Sequence, residues 1–349
     1  MKSNRGFTTL ELMVATAITM VAIVAVCTLL IESGHFTRNN EEIIKSNDGA
    51  RIAGEFIVGA LRVAGVGGAA GVWINNAGTP KLISPIFGTD AIAAEGNTDD
   101  IWMVLPDRRA FKESNCALNS GSAASLVAGG PGPLNVGCTQ SLMPPGLPNP
   151  SLLLLANFAG SAALLTAPRV TAASDGTVVG VIDYGESALP GFPPRAFQQG
   201  DGVFGASVVH FFVHRDSSGS ALYRETGVLS GASPPAFVAG TASRTVLQSN
   251  IEDLQIAYGV DPSGAGQPDQ YVFQNGFPDA FGSILRAVRV SVVAYHDRPM
   301  RSGDTSALIA FQPISPLENH DQTGAPKDAF RRSLYTRRIE LPNLSPGML

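Results

Sequence analysis

Cysteine and charged residues are scarce in this chain of 349 residues, and each scarcity excludes a class of protein. Three cysteines are too few for a small scaffold built on disulfide bonds. Charged residues make up 15 % of the sequence against 44 % for hydrophobic residues, which excludes wholesale disorder because the chain can bury a core. Basic residues number 24 against 29 acidic ones, so the net charge of −5 has the wrong sign for non-specific binding to nucleic acid. The sequence therefore predicts a folded protein on which any basic surface is local.

One long apolar run is present near the N-terminus. Residues 7–31 include a single ionisable side chain, that of Glu11. As a helix, this run spans about 37 Å, which exceeds the roughly 30 Å of a bilayer's hydrocarbon core. The run is longer than the apolar part of a cleaved signal peptide and has no small-residue cleavage site at its end. It therefore predicts a transmembrane helix.

The charged residues before and within this run predict the orientation of the helix and mark one residue, Glu11, as functional. Residues 1–6 carry Lys2 and Arg5, and positive charge beside a membrane helix stays on the cytoplasmic side. The residues after the helix are therefore expected to be exported. Glu11 needs a partner, because an acidic side chain inside a bilayer costs about 3 kcal/mol and marks function by default.

The helix is predicted to continue beyond the membrane, because no proline precedes Pro80. Over residues 32–65 the helix becomes one-sided, with apolar residues mostly three or four positions apart and charged residues between them. Gly65, Gly67 and Gly68 provide its stop. These glycines do not predict a dinucleotide site, since they close a helix and such a site opens one. The apolar positions are Ile44, Ala53, Phe56, Ile57, Ala60, Leu61 and Ala64.

Residues 66–349 differ in composition, with short β-rich segments between turns of glycine, proline, serine and asparagine. A stretch at about 118–150 is rich in serine, glycine and proline and predicts an extended surface insertion. The predicted strands are residues 100–105, 177–184, 207–214, 251–260, 285–295 and 330–341. The expected fold class is α+β, with a long N-terminal helix packed on one β-rich head.

The residues that open the apolar run, Gly6-Phe7-Thr8-Thr9-Leu10-Glu11, resemble the processing site of type IV pilins and pseudopilins. The resemblance implies that prepilin peptidase, a membrane-embedded enzyme, cleaves after Gly6 and methylates the new N-terminal residue, Phe7. Glu11 is then the acidic fifth residue of the mature chain. Cleavage creates a cationic amine, and Glu11 of one subunit can neutralise the amine of a neighbour in a low-dielectric helix bundle. We therefore expect Glu11 to select the register of assembly.

Several segments of the head resemble the C-terminal half of PilW-type minor pilins, and the segment after the helix resembles the post-helix motif of the same group. Over the chain, the resemblance covers about residues 1–70 and 245–342. Many relatives carry a cysteine soon after that motif, which this chain lacks, so no disulfide is transferred from them. The segments are residues 61–65, 251–261, 269–271, 287–291 and 330–335.

This resemblance implies a type IV pilin-like fold and the function of a minor pilin that initiates or caps a type IV pilus. The implied partners are prepilin peptidase, other minor pilins, the major pilin and, before assembly, inner-membrane lipid, with no nucleic acid. The implied location is the inner membrane with a periplasmic head, followed by the pilus. A head of this size fits poorly into the repeated packing of a major subunit, so we expect it at the pilus tip. Whether the pilus serves twitching motility or cell adhesion stays open.

Two alternatives stay open. A type II secretion pseudopilin shares the processing site, and a membrane-anchored exported adhesin or enzyme that does not polymerise shares the anchor and the head. The chain contains no nucleophile-elbow, His-Glu-x-x-His or P-loop motif. Neither catalysis nor a cofactor is therefore predicted.

The cysteines and histidines of the chain are further candidates for chemistry. Cys27 lies in the apolar helix, whereas Cys116 and Cys138 lie in the exported part, where an oxidising compartment permits a disulfide between them or leaves two free thiols. The four-residue spacing of His210 and His214 suits zinc only on a helix. In the predicted strand these residues lie about 13 Å apart, so no shared metal is expected.

Two further segments have charge patterns that resemble binding sites. The turn at residues 261–269 has an aspartate at each end but too few acidic oxygens for calcium, so we expect a simple turn. Four arginines cluster near the C-terminus, where strand alternation would divide them between faces and no aromatic platform accompanies them. We expect a solvated edge or a subunit contact there, not a DNA site. The arginines are Arg331, Arg332, Arg337 and Arg338.

Overall fold

The computed structural model has one long helix followed by a head made of β-strands, which confirms the predicted α+β class. One apolar core joins the helix to the strands, and a second core is formed by residues of the head alone. The structure describes residues 8–64, 71–76, 79–90, 98–106, 116–118, 134–138, 151–156, 161–167, 169–172, 179–183, 199–217, 219–232, 235–261, 272–274, 285–296, 328 and 330–341.

The helix, α1, comprises Thr9–Leu61 and agrees with the continuous helix predicted from the sequence. Its 53 residues correspond to a length of about 80 Å. Thr8 is the N-cap, and the helix ends with Arg62 as its C-cap, a few residues before the predicted glycine stop. The long apolar first half and the one-sided second half therefore form a single rod.

Nineteen strands are described in the head. They are β1 Gly71–Asn76, β2 Thr79–Ile83, β3 Ile86–Phe87, β4 Asp100–Pro106, β5 Cys116–Leu118, β6 Leu134–Cys138, β7 Ser151–Ala156, β8 Ser161–Ala167, β9 Arg169–Ala172, β10 Val179–Asp183, β11 Gly202–Asp216, β12 Gly219–Gly227, β13 Leu229–Ala232, β14 Pro235–Phe237, β15 Ser243–Ser249, β16 Ile251–Val260, β17 Val272–Gln274, β18 Leu285–Tyr295 and β19 Arg332–Glu340. The predicted strands at 251–260 and 285–295 coincide with β16 and β18.

The 15-residue strand β11 is the centre of the larger sheet. It pairs in antiparallel fashion with β4, β7 and β12, and at one position with β5. The main path through this sheet is β2-β1-β8-β7-β11-β5-β6-β10-β9, with β3 joined to β4 and β15 joined to β12. Among the described strand pairs, β1 with β8 is the single parallel one.

A four-stranded antiparallel sheet follows, in the order β17-β16-β18-β19. The chain enters it at Asn250, the residue between β15 and β16, whose φ is 60°. Asparagine tolerates this left-handed conformation better than most residues, which permits an abrupt change of direction. The strands β13 and β14 form a separate hairpin.

One core joins the helix to the four-stranded sheet. Ile57 and Leu61 are fully buried and stand four residues apart, hence on one face of α1. They share a cluster with alternate residues of β18, namely Val288, Val290 and Val292. These three valines therefore lie on the face of the sheet that packs on the helix, and this core attaches the head to the helix.

A second core lies on the other face of the larger sheet. Ile101 and Met103 of β4 belong to the first core, whereas Trp102 and Val104 belong to the second. Neighbouring residues of a strand point to opposite faces, so β4 is buried on both sides. This double burial explains the continuous apolar sequence of the strand.

Two details of the fold were not expected from the sequence. Ile44 and Phe56, expected to share the head-facing side of the helix, are 58 % and 47 % exposed. Successive helical residues are about 100° apart, so Phe56 points to a different side from the buried Ile57. The stretch 118–150, expected to be an extended surface insertion, contains the strand Leu134–Cys138, which the sequence did not predict. Its glycine-rich and proline-rich surroundings concealed this short strand.

Candidate functional site

The first half of α1 is an apolar surface. Every residue from Thr8 to Arg38 is exposed, including large side chains such as Leu10, Ile18 and Leu30. The helix is long and apolar enough to cross a bilayer. A contiguous apolar surface of this extent requires lipid or other protein to cover it.

Glu11 lies in the first turn of this helix and caps it. Its Oε2 accepts hydrogen bonds from the backbone N–H of Thr8 at 2.9 Å and from the Thr8 hydroxyl at 3.0 Å. The Glu11 N–H donates in turn to the Thr8 hydroxyl oxygen at 3.3 Å, which completes a capping box. Gly6 and Phe7, the predicted processing residues, lie outside the described residues. The Glu11 carboxylate is therefore fixed on the exposed end of the helix.

A polar cluster on the second half of α1 attaches the edge strand β19. The hydroxyl of Tyr335 donates to Glu55 Oε1 at 2.9 Å, and Arg337 Nη1 contacts the same oxygen. The ring of Tyr335 lies against Gly54, the residue before this glutamate. Burial is the main cause that raises the pKa of Tyr335, so its hydroxyl stays protonated and acts as the donor.

The other side of the helix contacts the end of β18. The Ser46 hydroxyl donates to the carbonyl of Ala294 at 3.3 Å. One turn earlier, Glu42 Oε2 lies 3.4 Å from Nδ1 of His296, whose side chain is fully buried. Polar contacts therefore accompany the apolar core between the helix and the four-stranded sheet: Glu55 contacts β19, and Ser46 and Glu42 contact the end of β18 and the residue after it.

A buried arginine joins the beginnings of β16 and β19. Arg332 Nη2 donates to Glu252 Oε1 at 2.9 Å, and Arg332 Nε contacts the other carboxylate oxygen. Its Nη1 and Nη2 also donate to the two carboxylate oxygens of Asp328 at 2.8 and 2.6 Å. The hydrogen bond to Asp328 is the first cause that raises the pKa of Arg332, and the same bond lowers the pKa of Asp328. We call Glu252, Asp328 and Arg332 the arginine clamp.

The arginine clamp corrects the expectation for Arg332, which is not a solvated edge residue, because only 6 % of its side chain is exposed. Arg337 also has an internal partner, Glu55. Arg338 contacts Glu340 at 3.4 Å and lies over the ring of Phe273, so the predicted division of Arg337 and Arg338 between faces is observed.

Sequence reasoning did not find the attachment residues of the helix. Glycines within the amphipathic half of α1 were a weak signal, because glycine destabilises a helix interior by about 1 kcal/mol relative to alanine and is often kept where another element approaches closely. This signal does not single out Gly54, since Gly59 in the same half has open space around it. Nothing local in the sequence identifies the acceptors of the clamp, because Glu252 and Arg332 are 80 residues apart.

The two histidines of β11 are in separate environments. His210 is buried, its Nε2 donates to Asp100 Oδ2 at 2.9 Å, and its ring stacks on Trp102 with centroids 3.9 Å apart. His214 is partly exposed and meets the edge of Tyr223. Their location in a strand agrees with the sequence prediction.

No group of three or more histidine, cysteine, aspartate or glutamate side chains in the described part of the chain is arranged to hold an ion. Asp261, which opens the loop weighed for calcium, is buried with its Oδ2 3.9 Å from Arg286 Nε. Residues 262–270 of that loop lie outside the described residues.

The three cysteines lie in two places. Cys27 is a free, exposed residue of α1. Cys116 and Cys138 are in β5 and β6, where the strand register puts their Cα atoms directly opposite each other.

Comparison with known proteins relates the C-terminal part of the head to a described family. A sequence model described as Type IV Pilus-assembly protein W, PilW, matches residues 210–343, which is less than half of the chain. This segment contains the arginine clamp and the Tyr335 and Arg337 contacts. No curated protein matches the chain. The predicted resemblance to PilW-type pilins is thereby confirmed for the C-terminal part of the head.

A search of solved structures found a type IV-like pilin, TTHA1219 from Thermus thermophilus. It is 12 % identical in sequence, and the match covers 57 % of this chain and 87 % of that protein with a TM-score of 0.21.

Proposed function

We propose that this chain is a minor pilin that is processed by prepilin peptidase and takes part in initiating or capping a type IV pilus. The observation that carries the proposal is the exposed apolar surface of α1. It covers the first half of the helix and continues as Ile44, Ile52 and Phe56 beside the head. Lipid covers the first half before assembly, and helices of other pilins cover both halves afterwards. The PilW match at residues 210–343 supports the connection with pilus assembly.

Processing after Gly6 gives Glu11 its function in this proposal. Cleavage leaves a cationic amine at Phe7, and the Glu11 carboxylate lies on the exposed end of the helix. Neither charge is stable alone among apolar helices, so the amine of one subunit pairs with the glutamate of the next. The other minor pilins and the major pilin are the proposed partners.

The protein begins, in this proposal, in the inner membrane with a cytoplasmic N-terminus and a periplasmic head. Lys2 and Arg5 support that orientation. It then enters the pilus at its tip, because a tip subunit needs neighbours on one end only. A large head is compatible with that position.

The test is intact-mass and N-terminal analysis of the full chain extracted from membranes of cells that carry a pilus system. We expect loss of residues 1–6 and one methyl group on Phe7. Gly6→Leu should abolish both changes, whereas Gly34→Leu, a matched control at an exposed helical glycine with open space around it, should leave them intact. A wild-type protein that retains residues 1–6 would contradict the proposal.

Co-purification then separates the proposed function from its alternatives. Recovery with sheared pilus components supports a minor pilin, and recovery with secretion components instead supports a type II pseudopilin. A processed chain that purifies with neither would overturn assembly into a filament and favour an anchored adhesin or enzyme.

A further inference from the structure

Two of the three cysteines occupy opposite positions in a strand pair. In the register of β5 and β6, Cys116 faces Cys138 and Ala117 faces Gly137. Directly opposed residues of an antiparallel pair have Cα atoms about 4.5–5.5 Å apart, inside the range of about 4.4–6.8 Å that disulfides span. The backbone therefore brings two distant cysteines to a separation that a disulfide fits.

This strand pair lies at the narrowest connection of the larger sheet. Among the described residues, β11 pairs with β5 through Gly202 and Ala117 alone. Within the same described set, β6, β10 and β9 reach β11 only through β5. Cys116 adjoins Ala117, so a bond at Cys116 lies next to this connection.

We propose that Cys116 and Cys138 form a disulfide in the exported protein and that this bond fastens β6, β10 and β9 to the head. The bond would restrain β5 against β6 where the pairing to β11 is limited to one residue pair. Closing the loop between the cysteines also removes conformational freedom from the unfolded chain. The oxidising environment that the bond requires rests on the export stated in the proposed function.

The oxidant is a protein disulfide of the exporting compartment. The thiolate of one cysteine attacks this disulfide, forms a mixed disulfide and releases one thiolate of the oxidant. The thiolate of the second cysteine then attacks the first cysteine's sulfur, which closes the Cys116–Cys138 bond and releases the oxidant's other thiolate. The two cysteines lose two electrons and two protons, and the oxidant ends as two thiols.

The test uses the full chain extracted from membranes, denatured and alkylated without reductant, followed by peptide mass analysis. Cys27 should be alkylated, whereas Cys116 and Cys138 should be alkylated only after reduction. A linked peptide pair should contain both residues. Free Cys116 and Cys138 in the extracted protein would overturn the proposal.

A second reaction separates that failure from a failure of the proposed function. The reduced, refolded full chain is incubated with oxidised glutathione. If the bond does not form there either, the strand register is at fault and the minor-pilin proposal is unaffected. If it forms with glutathione but was absent in the cell, the head was not in an oxidising compartment, which contradicts export.

Hydrogen exchange tests the fastening itself. On reduction, backbone amides of β6 and β10 should exchange about tenfold faster or more, while amides of β7, on the opposite side of β11, should keep their rates. Cys116→Ser should reproduce the reduced pattern without reductant. Unchanged exchange in β6 and β10 after reduction would show that the bond does not fasten these strands.

Discussion

The ring of Tyr335 lies directly on the backbone of Gly54. A Cβ atom at residue 54 would come within 2.3 Å of two ring carbons of Tyr335, closer than non-bonded atoms approach. The Tyr335 hydroxyl extends to Glu55, the next residue of the helix. The missing side chain at residue 54 is therefore what lets β19 approach α1 and form this polar contact.

Gly54→Ala should destabilise the protein although alanine favours helices. The added methyl group must displace the Tyr335 ring, a change that typically costs about 1–3 kcal/mol, and it disrupts the hydrogen bond to Glu55. Thermal unfolding of the full chain in detergent, followed by circular dichroism, should show a lower Tm.

Gly59→Ala is the matched control, because a Cβ at residue 59 meets no atom within 4 Å. There the helix propensity of alanine acts alone and should stabilise the protein by up to about 1 kcal/mol. Equal shifts of Tm in the two variants would contradict the close packing at Gly54.

Arg332→Ala should strongly destabilise the protein, because it removes the cation of the arginine clamp. It leaves the carboxylates of Glu252 and Asp328 close together without their cation. Removing one partner of a largely buried pair, here Arg332 and Glu252, costs about 3 kcal/mol. Arg332→Lys should recover only part of the loss, because lysine cannot form two paired contacts with each carboxylate. The measurement is the Tm of the full chain in detergent.

Arg51→Ala serves as the control for this prediction. Arg51 pairs with Asp48 on the exposed face of the helix, where 64 % of its side chain is accessible. Exposed pairs of this kind contribute less than about 1 kcal/mol. A Tm loss for Arg51→Ala as large as that for Arg332→Ala would show that burial does not increase the contribution of the arginine clamp to stability.

The arginine clamp also predicts an acid-dependent stability. The pKa of Asp328 is lowered below its ordinary value of 3.8, mainly by its hydrogen bond with Arg332. A carboxylate with a lower pKa in the folded state stabilises the protein above its unfolded pKa, and this contribution is lost as the pH falls through the folded pKa. The Tm difference between the wild type and Asp328→Asn should therefore be largest near neutral pH and shrink below about pH 4.

The matched control for this pH dependence is Asp48→Asn, which removes an exposed aspartate of the helix. Its Tm should follow that of the wild type at every pH. A difference between the wild type and Asp328→Asn that stayed constant from neutral to acid pH would count against the lowered pKa.

The sequence predicted the long elements that have a strong composition signal. The apolar run of α1 is unbroken and the segment of β18 is rich in valine, so both elements were recovered with nearly correct bounds. The strand Leu134–Cys138 was missed because five residues among glycines and prolines are too few to show a clear alternation of apolar and polar side chains. Local pattern therefore sufficed for long elements and failed for the shortest.

The arginine clamp and the contact with Gly54 could not be predicted in the same way. Arginine is usually a surface residue, so nothing in the sequence marks Arg332 as buried. Only the pairing of β18 with β16 and β19 brings Arg332 to Glu252. Glu11 was predicted as a site residue from a different kind of signal, one charge in an otherwise apolar run. A residue that contradicts its local environment is visible in a sequence, whereas a pair formed across a sheet is not.

Glu11→Ala should reduce incorporation of the protein into pili without reducing its amount in the membrane. Loss of a pairing worth about 1.4 kcal/mol corresponds to a tenfold loss of incorporation at equilibrium. Glu11→Gln should behave similarly, since an amide carries no charge for the amine of a neighbour. The measurement compares the protein in sheared pili with that in membranes by quantitative immunoblotting.

The control for the Glu11 variants is Glu41→Gln, at an exposed glutamate of the same helix beyond the apolar run. It should leave incorporation unchanged. If all three variants enter pili at the wild-type level, the proposed charge pairing is wrong.

Phe56 and Ile57 are neighbours in sequence, but replacing them should affect different properties: assembly into pili for Phe56 and stability of the fold for Ile57. Ile57 is fully buried in the core beneath the helix, so Ile57→Ala should destabilise the fold by about 2–5 kcal/mol. Phe56 is 47 % exposed on another side of the helix, so Phe56→Ser should change the Tm little. If that side of α1 packs against another pilin, Phe56→Ser should nevertheless reduce recovery in sheared pili, while the membrane level stays constant. Full recovery of a stable Phe56→Ser variant would show that the apolar side chain is not part of a subunit contact.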